Sequence, residues 1–150
     1  MLRNILTRAG ISGAAAAVTS AAAAAQLASA NGSTLVAPLN AVTHCLWPDK
    51  AYGQLKFSKR YTITGAFIHL GSGIFWGVLF EKLRGAKASP LQDIAAATAT
   101  AVIAYAVDYH VVPKRVTPGF EAHIPKRAFP VVYAALGLGL LFATVIGHRE

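Results

Sequence analysis

The chain has 150 residues, enough for one domain, and is 55% hydrophobic with only 13% charged residues, against about 25% charged in a typical soluble domain. Its net charge of +8 and pI near 10.0 argue for headgroup contacts rather than nucleic acid, because the cations fall in short clusters between apolar runs. One cysteine, Cys45, excludes an intrachain disulfide and any Cys-based metal centre within the chain. These totals predict an all-α polytopic membrane helix bundle, a single membrane domain over residues 1–150 lying in a lipid bilayer.

The first element in chain order is an Ala-rich stretch, residues 9–30, AGISGAAAAVTSAAAAAQLASA, behind Arg3 and Arg8. It has two readings. A basic start, an apolar run and a small-residue ASA ending at Ala30 fit a cleaved secretory signal. Its length, with Gly10, Gly13, Thr19, Ser20 and Gln26, suits a retained and closely packed first span, which is the favoured reading. Asn31-Gly32-Ser33 breaks it. Residues 34–47, TLVAPLNAVTHCLW, are mildly apolar and too short to cross, so an interfacial or re-entrant segment is expected.

Three stretches then read as transmembrane helices: 61–81, 91–112 and 128–147. Each is about 20 residues, a rise of about 30 Å, which matches the hydrocarbon core. Tyr61, Phe80, Tyr109 and Phe129 stand near their ends, where headgroup-level anchoring is expected. Small residues recur every four positions: Gly65, Gly73 and Gly77 around His69 in one helix, and Ala135, Gly139, Ala143 and Gly147 in the last. Such stripes let helix backbones approach in lipid, and they imply a tight bundle, able also to form a homo-oligomer or join a larger membrane complex.

With those three spans, the loops before 61 and at 113–127 share one side and carry eight cations. Four of the eight, Lys114, Arg115, Lys126 and Arg127, bracket a proline-punctuated connector as interfacial basic pairs, and its Phe120 and Ile124 are expected to dip into the interface. The opposite side has Lys82, Arg84, Lys87 and Arg149, so the positive-inside rule puts the first pair of loops in the cytoplasm. Arg3 and Arg8 conflict with this if the first helix crosses once.

Ionisable groups at membrane depth mark functional sites by default. His69 lies well inside its span, and Asp108 and His110 close the third; antiparallel packing leaves His69 and Asp108 about 7 Å apart in depth. With His44 and His123 on the same side, the set fits metal or haem ligation, proton handling or a small transporter's substrate site. The alternative is ordinary: His69 hydrogen-bonds a neighbouring helix and Asp108 pairs with Lys114 or Arg115. No metal, phosphate-loop or nucleophile motif occurs, so enzyme activity has no support and no cofactor can be specified.

The strings PLNAVTHCLWPD and VDYHVVPKRVTPGFE resemble a family of small bacterial polytopic inner-membrane proteins with no assigned activity. The resemblance runs over roughly residues 35–145. It implies a bacterial membrane protein of about four helices and assigns no site residue. A non-enzymatic structural or accessory component is therefore the leading expectation, with a small transporter, channel or metal-binding protein as the alternative.

Overall fold

The structure, a computed structural model, describes residues 2–86 and 88–147. Lys87, Arg149, the Arg3 side chain and the surroundings of Gly147 lie outside that description. The described residues are helical with no strands: α1 (Leu2–Ala30), α2 (Ala37–Val42), α3 (Thr64–Arg84), α4 (Pro90–Ala106) and α5 (Phe129–Gly147). One-turn π-helical segments precede α3 (Lys59–Ile63) and follow α4 (Val107–Val111). Four helices are long and apolar enough to cross a membrane, over Asn4–Ala30, Lys59–Arg84, Pro90–Val111 and Lys126–Val145. The all-α fold class is as the hydropathy pattern predicts.

The Ala-rich stretch is the centre of the bundle. α1 runs antiparallel to both α3 and α5 and lies between them, while α4 closes the far side against α5. Ala gives α1 a slim cross-section and a strong helix preference, so two neighbours can approach its backbone. A Cβ placed on Gly73 would stand 2.5 Å from the Gly13 carbonyl oxygen and 2.8 Å from the Ala17 Cβ, and one on Gly77 would stand 2.6 Å from the Ala9 oxygen. On the opposite flank of α1, a Cβ at Gly139 would collide with Thr19 and Ala16. Thr19 Oγ1 donates to the Ala135 carbonyl at 2.7 Å, and Ala143 is buried one turn further on.

Local signals set the helix ends. Ser89 and Gln92 form a reciprocal capping box ahead of Pro90, and Gly85, at φ 74°, ends α3. The end of the bundle holding this turn also holds the only ion-pair cluster among the described residues. Arg84 grips Asp93 through Nε–Oδ1 at 2.6 Å and Nη2–Oδ2 at 3.2 Å, and reaches Glu81 at 3.4 Å. Arg8 stands 3.2 Å from the same Glu81 oxygen. Glu81 and Asp93 are 3% and 5% exposed, so burial without these cations would be costly. α1 does cross the bundle, and its Arg8 is neutralised where it emerges.

Residues 31–58 and 112–128 meet at the other end, where burial bears on three expectations. Residues 34–47, expected to be interfacial or re-entrant, pack largely inside protein. Ala37, Pro38, Asn40, Ala41, Val42, Thr43 and His44 are all buried, and Leu39 fits so closely over Gly65 that a Cβ there would strike its carbonyl. Asn40 fixes the segment, donating to the Gln54 and Lys56 carbonyls at 2.7 and 3.1 Å and accepting from Thr62 at 2.6 Å. Second, Tyr61 and Phe129 here, and Phe80 at the opposite end, face protein rather than headgroups: Tyr61 packs edge-on against Trp47 and Phe129 stacks on Tyr109. Third, Phe120 and Ile124 are each 3% exposed and belong to the core. At this end the reason is shared. Loops that fold back over the bundle supply cover that a single-helix hydropathy reading assigns to lipid.

Candidate functional site

Away from the ion-pair cluster, two ionisable residues of the spans, His69 and Asp108, share one cavity. It has a volume of about 150 Å³ and is bounded by α1 (Ser20), α3 (His69, Ser72, Trp76), the end of α4 (Asp108), α5 (Tyr133) and the loop from Val116 to Phe120. Cys45 also lines it. The exposed residues on its rim are Ser72 and Val116.

His69 is held against α1. Ser20 Oγ donates to the Ala16 carbonyl at 2.7 Å, so the Ser20 oxygen is left to accept. Nε2 of His69 lies 3.1 Å from Ser20 Oγ and 3.1 Å from the Ala17 carbonyl oxygen. Both are acceptors, so Nε2 carries the proton and Nδ1 is the ring's bare acceptor, without a protein hydrogen bond. Gly73 and Gly77, further along the same stripe, bring α3 near enough to α1 for these bonds to form.

Asp108 sits in the π-helical turn Val107–Val111, closed by Val112 N–H donating to the Val107 carbonyl at 3.0 Å. The wider turn re-aims side chains, a common feature of functional positions in helices. Tyr133 donates to Asp108 Oδ2 at 2.7 Å. Oδ1 has no hydrogen bond, and no Lys, Arg or His stands at ion-pair distance from Asp108 among the described residues. The expected pairing with Lys114 or Arg115 is not made; those side chains point elsewhere because the loop carrying them turns over the cavity.

That loop is fastened from beneath. His44, 2% exposed, places Nδ1 2.9 Å from the Ala41 carbonyl and Nε2 2.9 Å from the Lys114 carbonyl. Tyr52 stacks on its ring at 5.0 Å. Arg115 Nε donates to the Cys45 carbonyl at 3.1 Å. Gly119 sits at φ 83°, and a Cβ there would lie 2.6 Å from the Ala41 oxygen, so the turn demands glycine on both counts.

The other sequence candidates lie apart. His110 is exposed and packs edge-on against Tyr105 at 5.6 Å. His123 bonds Ser33 through Nδ1 at 3.0 Å, and burial holds its pKa below the ordinary histidine value, outweighing the opposing pull of the Tyr52 backbone. Lys114, Arg115, Lys126 and Arg127 are exposed around the loops. Among the described residues, no three His, Cys, Asp or Glu side chains are placed to hold a metal ion. His69 and Asp108 thus share a cavity, while His44, His110 and His123 do not join them. Tyr133, Ser72 and Trp76 were not singled out in the sequence. Tyr133 falls two residues before Ala135 in an uncharged helix, and no local pattern marks it.

The fold and its apolar outer surface, with Phe67, Phe75, Val102, Leu138 and Phe142 all exposed, define a multi-pass α-helical membrane protein. Compared with protein-family models, curated proteins and solved structures, the chain matches none.

Proposed function

We propose that this protein is a non-enzymatic component of the bacterial inner membrane that admits a small polar solute into the cavity lined by His69 and Asp108. The carrying observation is the convergence of an unpaired carboxylate, an imidazole with a bare acceptor nitrogen and two serines on one recess of about 150 Å³. Polar groups at this depth are expensive unless they serve a ligand or each other, and here Asp108 Oδ1 and His69 Nδ1 serve no protein partner. A cavity of this size takes a molecule of roughly benzene dimensions, which favours a small solute over haem. The eight cations at the loop end support a cytoplasmic placement of that end.

Trp76 lines the cavity and reports access to it. In nanodiscs, with Trp47→Phe removing the other indole, aqueous acrylamide is expected to quench Trp76, and Ser72→Phe at the rim is expected to protect it. Quenching by brominated lipid alone, with none by acrylamide, would refute the reading.

A second reading, an accessory subunit of a larger assembly, rests on a different feature. An open apolar groove of about 510 Å³ runs between α4 and α5, floored by Ala97, Ala101 and Gly137. Native mass spectrometry from nanodiscs tests it: a monomer free of protein partners counts against it.

A further inference from the structure

We propose that the solute is a small primary ammonium cation. The inference rests on the cavity reading above and adds its chemical class. The lining contains one carboxylate, Asp108, and neither lysine nor arginine. Asp108 Oδ2 is taken by the Tyr133 hydroxyl at 2.7 Å, so one carboxylate oxygen remains to accept. His69 is fixed with its Nε2 proton turned to Ala17 and Ser20 on α1, so Nδ1 is a second acceptor. Ser72 supplies a hydroxyl at the rim. The site therefore offers acceptors and a negative charge, which match the three donors and positive charge of an R–NH₃⁺ group. A neutral alcohol has one donor to give, and an anion would meet the carboxylate.

The remaining walls suit the rest of such an ion. Trp76, Phe120 and Tyr133 present rings to the same space, and aromatic faces stabilise ammonium groups within about 6 Å, more so when desolvated. Ile68, Val132 and Leu136 complete an apolar lining for a short alkyl chain. The volume of about 150 Å³ limits the ligand to a handful of heavy atoms. Quaternary ammonium ions fit poorly, because they would leave both acceptors without a donor.

Cys45 lines the cavity and is the sole cysteine, so the full-length protein carries its own reporter. In nanodiscs, its modification by aminoethyl methanethiosulfonate, which bears the proposed headgroup, is compared with that by the anionic sulfonatoethyl reagent. Each rate is normalised to a free thiol. The Cys45 carbonyl is bound by Arg115, so approach from the surface favours the anion, whereas approach through the cavity favours the cation. The expected result is a cation preference of about tenfold in the wild type, corresponding to about 1.4 kcal/mol. Ethylammonium should slow the reaction and ethanol should not. Asp108→Asn, which keeps an acceptor for Tyr133, should abolish the preference. An anion preference in the wild type, or a cation preference that survives Asp108→Asn, overturns the proposal. So does a thiol that neither reagent reaches while acrylamide still quenches Trp76; in that case the cavity admits neutral solutes only and the function proposed above stands. Exclusion of acrylamide as well would remove both.

Discussion

Replacing Gly73 by alanine tests whether the backbone approach of α1 and α3 carries the fold. The added Cβ would stand 2.5 Å from the Gly13 carbonyl and 2.8 Å from the Ala17 Cβ. Ordinary contact begins near 3.4 Å, so the helices must part by about 0.9 Å (3.4 − 2.5) or bend around the methyl. Neither obstacle is the end of a flexible side chain that could swing away. Parting also lengthens the 3.1 Å bonds of His69 Nε2 one turn away. Overpacking of this kind costs about 1–3 kcal/mol, and two rigid obstacles put Gly73→Ala at the upper end, near 3 kcal/mol. Gly71, on the same helix, has nothing within 4 Å of its added Cβ. Gly71→Ala should therefore be neutral or stabilising by up to about 1 kcal/mol through helix preference alone. Reversible unfolding in mixed micelles, followed by circular dichroism, gives both values under one condition. If the two variants fall within about 0.5 kcal/mol of each other, close approach is not what holds α1 in place.

Glu81→Gln should destabilise the bundle by about 2 kcal/mol in the same assay; this is below the 3–5 kcal/mol typical of a fully buried pair because Arg8 is partly solvated and Arg84 retains Asp93. No loss would show that the cluster is incidental. For His123, burial lowers the folded-state pKa below the unfolded value of 6.5. Above 6.5 both states are neutral and the stability is intact; below it the unfolded state takes the proton first, so stability falls as pH drops toward the folded value. Protection of the amides at residues 31–37, beside the Ser33 partner, should fall between about pH 7 and pH 5 in the wild type once the intrinsic base-catalysed pH dependence of exchange is divided out, and less steeply in His123→Gln. Equal slopes would exclude this histidine as the cause. Gly119→Ala, strained at φ 83° and blocked by the Ala41 carbonyl, should cost about 1–3 kcal/mol and loosen the loop over the cavity, read as faster modification of Cys45 by a neutral thiol reagent. An unchanged rate would mean that the loop does not limit access.

Composition and span length made the fold class legible, since few structures other than helices satisfy their backbones in lipid. The rank of the helices was not legible. α1 is full of Ala, Ser and Thr, and its basic start and small-residue end leave a hydropathy reading between signal and span. Its place at the centre follows from slimness, which only matters once neighbours are present. Glycine spacing on α3 did place His69 and Glu81 on one side of the helix, the side that meets α1. It could not show that Tyr133, 25 residues from Asp108, would supply the hydrogen bond. Nor could it show that His44 would fasten a loop 70 residues later. Such pairings depend on how loops return, and no periodicity records that.

The Thr19–Ala135 bond joins residues 116 positions apart, and this has a consequence for biosynthesis. At about 5–20 residues per second, roughly 6–25 s separate the synthesis of the two partners. Throughout that interval α1 has no α5 beside it, and its small-residue flank faces lipid or the insertion machinery. α1 is thus fully enclosed only once α5 has been made. A chain stalled after α4 would leave that small-residue flank, Thr19 included, without its α5 partner.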